Sequence, residues 1–535
     1  MDWIRYAESH GSEGDPAIDN AWMYRDYLIR ALNGDVPIDQ LIREHVAGDL
    51  LEDPRINLTD DFNESVIGTA HWRMVFHGFA PTDALDERVR FTDDQINAFT
   101  KAFLGLTVSC ARCHDHKFDA ISQADYYAIF GVLNSCRPGR ATIDLPEQQN
   151  RHRDELTQLK NKIKASTTTA WLESLNSFPQ YLQKRAAEDS QSIAEKSLLG
   201  IYRTLLTSLN SKNESDAASV WQQLRSAYQP VTVADAGRQS SQSAPGLSND
   251  FSTWFRSGTG LSSGPSAAGQ FVVANEGDSI FSTIYPAGVY SNLISAKHAA
   301  RLTSPDVKLD GDYEIWANAI GDGGASVRYV VQNYPRDGTV YPVTKLQPKW
   351  QWQRFDVQYW NGDDIHVELA AAMDAPLLVS QQSRSWFGIR DIQLVRKGEA
   401  KPDDSDHSLA ALFANWNEPP SSIQSVNTAF IRALRSAILS WQNETLDDNQ
   451  ALFLDRCLQE GLLANRIADI PGIESLVNRY RELESDVPVP RRIPSLDETV
   501  GRDQPLMIRG NHKTLGEPIP RSEEHTSELQ SRQYL

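Results

Sequence analysis

Five consecutive residues, Cys110-Ala-Arg-Cys-His114, carry most of the chemistry legible in this chain. Two thiols three apart, followed at once by an imidazole, have the C-x-x-C-H spacing of covalent c-type haem attachment. On one turn the two cysteines face the same way. Each sulfur can then form a thioether with one porphyrin vinyl group, and His114 can give a proximal nitrogen to iron. His116 adds a second imidazole, too close in sequence to His114 to sit on the opposite face of the ring. The distal candidates are His71, Met74 and His77, which the spacing of three and three places on one predicted helical face. An open distal position is the other expectation. The same turn allows a competing use, a metal site built from Cys110, Cys113, His114 and His116, because two thiolates and an imidazole suit zinc. Against it, the chain has no second C-x-x-C. A structural or redox dithiol is the third reading.

The motif needs elements to hold it. Residues 91–110 open with Thr92-Asp-Asp-Gln, a capping-box-like start, and continue with Ile96, Phe99, Phe103, Leu104 and Val108 on one apolar face. Residues 125–134 read as another helix, and Phe118, Tyr126, Tyr127 and Phe130 are aromatics able to wall a porphyrin. The apolar spacing makes residues 1–140 a mainly helical domain.

Downstream the pattern changes repeatedly. Residues 141–234 are rich in Gln, Lys, Glu, Ser and Ala, with Leu156, Leu159 and Ile163 at heptad-like spacing, which predicts long exposed helices or a helical hairpin. Residues 235–270 are rich in Ser and Gly and read as a linker. Alternation at Val327/Tyr329/Val331, Phe355/Val357/Tyr359 and Ile365/Val367/Leu369 then predicts an antiparallel β-sandwich, jelly-roll-like, within residues 235–398. Helical patterning returns over 399–485, expected to pack with 141–234. Residues 486–520 read as the extended start of a further domain. The fold class is therefore multidomain α+β, with a sandwich inserted into a helical region. Met1 is followed by what reads as the middle of a helix, so upstream residues are expected. The tail, 521–535, reads as adapter-derived sequence.

Composition narrows the function. The 535 residues carry 52 basic and 71 acidic side chains, net −19, which argues against a nucleic-acid binder. Four cysteines cannot form a disulfide framework. Cys136 and Cys457 read as buried free thiols, with a bridge between them as the alternative. No apolar run reaches the roughly 18 residues of a membrane span. Gly260-Leu-Ser-Ser-Gly264 matches the serine-hydrolase elbow but lacks the strand and helix that elbow requires. Trp350, Trp352, Trp360, Trp386, Tyr334 and Tyr341 on the sandwich are core residues or sugar-stacking platforms, so polysaccharide is a candidate partner. His10, Glu13 and Asp15 read as a solvated polar loop.

Several blocks, in order, resemble planctomycete cytochrome-c-like proteins of unknown function: Trp3-Ile-Arg-Tyr-Ala-Glu-Ser-His through Asp15, Asn20-Ala-Trp-Met-Tyr-Arg-Asp26, Ile42-Arg-Glu-His-Val-Ala-Gly-Asp-Leu50, and Leu104 through Asp119 with Asp125-Tyr-Tyr127 behind it. They cover about residues 1–140. Tyr285 to Tyr290 and Trp386 to Arg390 resemble the β insertion of such proteins, and Arg509-Gly-Asn-His-Lys-Thr-Leu-Gly-Glu517 resembles the opening of their C-terminal partner domain. The resemblance implies an exported protein, periplasmic or at the cell surface, with a haem c centre, an unidentified redox partner and a suggested link to polysaccharide breakdown. Whether it is an enzyme stays open. The alternative function is a carbohydrate-binding surface protein with a structural Cys/His metal site.

Overall fold

The computed structural model describes residues 1–11, 15–78, 83–187, 196–210, 214–228, 247, 249–336, 342–399 and 401–521. Glu13, Tyr341, most of the stretch 229–248 and the tail 522–535 lie outside them. The architecture is mixed helix and antiparallel sheet.

The first 140 residues hold α1 (Trp22–Asn33), α2 (Ile38–Ala47), a 3-10 helix Ser65–Arg73, α3 (Ala84–Phe99) and α4 (Gln123–Asn134). A small hairpin, β1 (Ile56–Asn57) and β2 (Phe62–Asn63), precedes β3 (Cys136–Thr142). α3 starts before the predicted Thr92 signal, because the Asp83 side chain accepts from Asp86 N and caps it there. Thr92 is a buried residue inside the helix. α4 starts at a reciprocal Ser122/Asp125 capping box.

The sandwich has two sheets. β13 (Gln351–Asp356), β10 (Tyr313–Asp322), β15 (Trp386–Arg396) and β7 (Val289–Tyr290) make the first, in that order. The second runs β12 (Thr344–Lys345), β11 (Ser326–Val331), β14 (Asp364–Ala370), β8 (Arg301–Thr303), β4 (Phe255–Ser257), with β9 (Val307–Lys308) also on β14. Val327, Tyr329, Val331, Val367 and Leu369 pack inward against Ile315, Ala317, Phe387 and Leu394. Phe251 and Trp254 share this core, so the Ser/Gly-rich stretch is not all linker: its end from Asn249 belongs to the sandwich. Apolar anchors, not average composition, decide where a core begins.

Another correction concerns residues 141–234. Leu156, Leu159 and Ile163, on the helix Arg153–Ser174, are buried in one core with the helices Ile423–Gln442, Asp448–Gln459 and Ile473–Asp486. The Trp171 and Trp441 rings stack there at 5.5 Å. The hairpin β5 (Gln270–Val273) and β6 (Phe281–Tyr285) also joins this helical core through Phe271, Val273, Phe281 and Ile284, although its alternation reads like sandwich sequence.

The C-terminal stretch closes the first domain. β16 (Arg492–Glu498) pairs antiparallel with β3, from Arg492↔Thr142 to Glu498↔Cys136. β17 (Gln504–Met507) and β18 (Leu515–Ile519) form a hairpin beyond it. The outer face of the six-stranded sheet docks here. Glu368 is held between Arg301 (2.5 Å) and Arg328 (2.5 Å), and Arg301 also meets Asp497 of β16 at 2.7 Å. Arg137 of β3 pairs with Asp306 at 2.8 Å.

Candidate functional site

The residues Val108–Arg112 form a short 3-10 helix, in which positions three apart fall on one edge. That period sorts the motif. Val108 and Ala111 point into an apolar cluster with Ile96, Tyr126, Phe130 and Met507, while Cys110 and Cys113 are free thiols on the exposed side. The approach is equally defined. After α3 the chain makes a π-turn, Thr100–Leu104, ended by Gly105 in the left-handed region (φ 67°) that favours glycine.

The turn is braced from three directions. Arg112 Nη1 meets Asp93 Oδ2 of α3 at 3.3 Å, and Tyr126 O–H of α4 donates to Asp93 Oδ1 at 2.7 Å. The Arg112 carbonyl accepts from Gln123 Nε2 (2.9 Å) and Tyr127 O–H (3.1 Å), both of α4. Arg112 Nη2 donates to Gly510 O at 3.3 Å. None of these braces follows from the C-x-x-C-H spacing. A cleft of about 290 Å³, lined by Arg5, Phe76, Phe91 and Asp94 among others, shares Asp93 with this network.

His114 is exposed, and its Nδ1 lies 2.7 Å from its neighbour's carbonyl, Asp115 O. An N–H at Nδ1 donating there leaves Nε2 with its lone pair, the tautomer of a histidine that binds a metal through Nε2. His116 is placed differently. Its Nδ1 accepts from Asp119 N at 2.9 Å, and its Nε2 is 2.9 Å from Thr107 Oγ1. Both nitrogens serve the loop, so the four-ligand set Cys110, Cys113, His114 and His116 is not assembled. Among the described residues no group of three or more His, Cys, Asp or Glu is arranged to hold a metal ion.

The three distal candidates do not share a helical face, because the 3-10 helix ends at Arg73. Met74 is buried in the core with Tyr24 and Ile67. His77 stacks on Tyr334 at 4.4 Å and its Nε2 meets Pro335 O at 2.8 Å. His71 differs: Nδ1 lies 3.0 Å from Gly68 O, and Nε2 is buried with no hydrogen-bond partner, among Trp72, His45, Phe103 and Phe99. Burial, with His45 beside it, pushes its pKa down to about 3, so it stays neutral. His10, read as part of a solvated loop, is buried edge-on to His77. Cys136 lies on β3 and Cys457 in the helical core; both are free thiols.

Residues 1–138 match the PSCyt2 model, a protein family of unknown function (DUF1549). The braced turn, from Val108 to Gln123, lies inside the residues that match this model. The closing strand β16 and Gly510 lie outside it. No curated protein matches the chain. Solved structures similar to part of it include TmCBM61 in complex with β-1,4-galactotriose (19% identity, 29% of this chain and 95% of that one, TM-score 0.19). Others are the enzymatically active domain of bacteriophage CBA120 tailspike protein 4 (11% identity, 28% and 21%, TM-score 0.18) and the Podospora anserina GH26-CBM35 β-(1,4)-mannanase (10% identity, 30% and 34%, TM-score 0.15).

Gly510 makes a prediction of its own. It has φ 73°, and a Cβ there would stand 2.6 Å from Cys113 Sγ. Gly510→Ala is expected to slow alkylation of Cys113 severalfold, leave Cys110 unchanged, and cost roughly 1–2 kcal/mol of backbone strain. Mass-resolved alkylation kinetics with denaturant melts read both.

Proposed function

We propose that the PSCyt2 segment attaches haem c through Cys110 and Cys113, with His114 as the proximal ligand, and that the chain has an electron-transfer or redox role. The observation that carries this reading is the outward set itself: two exposed thiols on one turn and an imidazole whose Nδ1 is tied to a carbonyl. Two sulfurs and one nitrogen satisfy a c-type haem, whereas zinc needs further ligands that His116 does not supply. Bound haem supplies an iron that exchanges single electrons at a potential set by its axial ligands and burial. The chain's own residues do the positioning. Asp93, Gln123 and Tyr127 hold the turn, Asp115 O fixes the imidazole plane, and Val108 and Ala111 anchor the turn to the core. The resemblance to planctomycete cytochrome-c-like proteins, and with it export to the periplasm or cell surface, belongs to this reading.

The test is expression with the c-type maturation machinery in an exported form. The expected result is a Soret band and haem that stays with the chain on a denaturing gel. A colourless protein whose thiols keep their unmodified mass overturns the proposal.

Carbohydrate binding by the sandwich is the second reading, with polysaccharide as the partner. Trp360 and Tyr334 are buried and belong to packing. With the six-stranded face docked, the register leaves Trp316 and Trp352 on the outer side of the other sheet, in the rows Trp316↔Arg354 and Asn318↔Trp352.

A further inference from the structure

The first domain holds a buried pair of side chains able to move an electron and a proton together, and the motif does not use it. The pair is built on a close backbone contact. A Cβ on Gly48 would lie 1.9 Å from Ser65 O, and one on Gly68 would lie 2.6 Å from Glu44 O. Glycine at both positions lets the end of α2 and the 3-10 helix Ser65–Arg73 approach this far. That approach sets His45 of α2 against His71, with ring centroids 5.2 Å apart.

The bonds of His45 fix its tautomer. Nδ1 lies 2.6 Å from Leu41 O, and a carbonyl only accepts, so Nδ1 carries the hydrogen. Burial pushes the pKa of the ring down and keeps it neutral, which leaves a lone pair on Nε2. Tyr24 O–H of α1 donates to that Nε2 at 2.6 Å. Tyr24 is 1% exposed and His45 2%. Burial pushes the Tyr24 phenol well up, so its proton leaves only when an electron leaves with it.

Other buried tyrosines meet poorer proton acceptors. Tyr334 and Tyr480 donate to the carbonyls of Gly78 and Ile294. Tyr27 and Tyr126 donate to Glu44 and Asp93, carboxylates already held by Arg55 and Arg112. A neutral imidazole is a stronger base than either kind of oxygen.

Aromatic rings extend from the pair in two directions. Inward, His71 meets Trp72 at 4.3 Å, and Trp72 packs against the cluster that holds Val108 and Ala111 of the motif turn. Phe103, on the π-turn, packs on His45 at 4.7 Å and on His71 at 5.8 Å. Outward, Tyr24 stacks with half-buried Tyr6 at 6.3 Å, and Tyr6 O–H donates to exposed Glu8. These are ordinary spacings for rings in contact, and an electron tunnels readily across each of them.

We propose that Tyr24 and His45 form a proton-coupled redox pair that passes single electrons between the motif turn and the surface at Tyr6. A strong one-electron oxidant at the turn, of the class of a peroxide-oxidised metal centre or a photogenerated ruthenium(III) complex, gains one electron. Tyr24 supplies it. The phenolic O–H bond breaks, and its proton forms a new N–H bond at His45 Nε2. The products are a neutral tyrosyl radical and an imidazolium that still donates from Nδ1 to Leu41 O. A one-electron reductant such as ascorbate returns the electron, and the proton moves back. The link to the turn rests on the haem reading; the pair itself does not.

The experiment is flash photolysis of the full, haem-free chain with tris(bipyridine)ruthenium(II) and persulfate. Freeze-quench electron paramagnetic resonance on ring-deuterated tyrosine reads the radical. Surface tyrosyl radicals couple with one another and vanish, whereas one on a buried ring persists. A long-lived tyrosyl signal is expected, reduced severalfold by Tyr24→Phe and unchanged by Tyr27→Phe. His45→Gln, which removes the base and keeps the phenol, is expected to slow formation severalfold and to abolish its slowing in heavy water. Tyr24→Phe deletes one hydroxyl and is the arm that survives if His45→Gln misfolds. No long-lived tyrosyl signal in the wild type, an undiminished signal in Tyr24→Phe, or wild-type formation in folded His45→Gln each overturns the proposal. With the ruthenium complex tethered to Cys110 in a Cys113→Ala chain, Trp72→Phe is expected to lower the yield severalfold; an unchanged yield overturns the route to the turn. Haem attachment without the radical overturns this pair alone, and the radical without haem attachment leaves it standing.

Discussion

Glu368→Gln is expected to lose about 3–5 kcal/mol of stability, because it leaves buried Arg328 without its counter-charge and buried Arg301 with Asp497 alone. Glu368 is 1% exposed and lies between Arg301 and Arg328 on the outer face of the six-stranded sheet. Burial pushes its carboxyl up, but the two arginines outweigh burial and hold it at about 2. The sign follows from linkage. A carboxyl with a depressed folded pKa adds stability that is fully present above its unfolded value and is lost as pH falls through the folded one. The wild type is therefore expected to weaken between about pH 4.5 and pH 2, and Glu368→Gln to show a flatter profile there. Urea melts across that window check both statements. An unchanged acid limb in the variant would count against the triad as the docking device.

Cys110→Ala with Cys113→Ala is expected to remove covalent haem entirely, while His114→Ala is expected to keep the added porphyrin mass and change the spectrum. The difference follows from the roles assigned. The sulfurs make the bonds and the imidazole only ligates iron, so losing it alters spin state and potential without releasing the ring. Val108 and Ala111, which carry the turn's packing, are untouched in both variants. Their melting temperatures should stay near that of the unmodified wild type. Intact-mass spectrometry and absorbance spectra separate the outcomes. Equal loss of haem mass in His114→Ala and the double variant would mean that the histidine is needed for attachment itself.

What the sequence made legible was local. The C-x-x-C-H spacing, the helical periodicity around it and the alternation of β11 and β14 each depend on neighbours within a few residues, and each is visible along the chain. The mixed α+β class follows from those periods. Long-range partners were not legible. Nothing near Arg112 announces Gly510, and nothing near Arg301 announces Asp497; the chain brings them together only through the β3–β16 pairing. The β5–β6 hairpin alternates like a sandwich strand pair, yet its apolar face is claimed by the helix bearing Trp441. Spacing suggested one face for His71, Met74 and His77, but the helix ends too soon to make one.

The partnership of β3 with β16 sets an order of events during synthesis. Residues 136–142 leave the ribosome far ahead of residues 492–498, so the first domain waits, lacking its closing strand, until most of the chain has been made. Through that interval the Gly510 backbone is not yet against Cys113. On the proposed haem reading, an attaching enzyme would meet a more open turn in the nascent chain than in the finished protein, and β16 pairing would close over the turn afterwards.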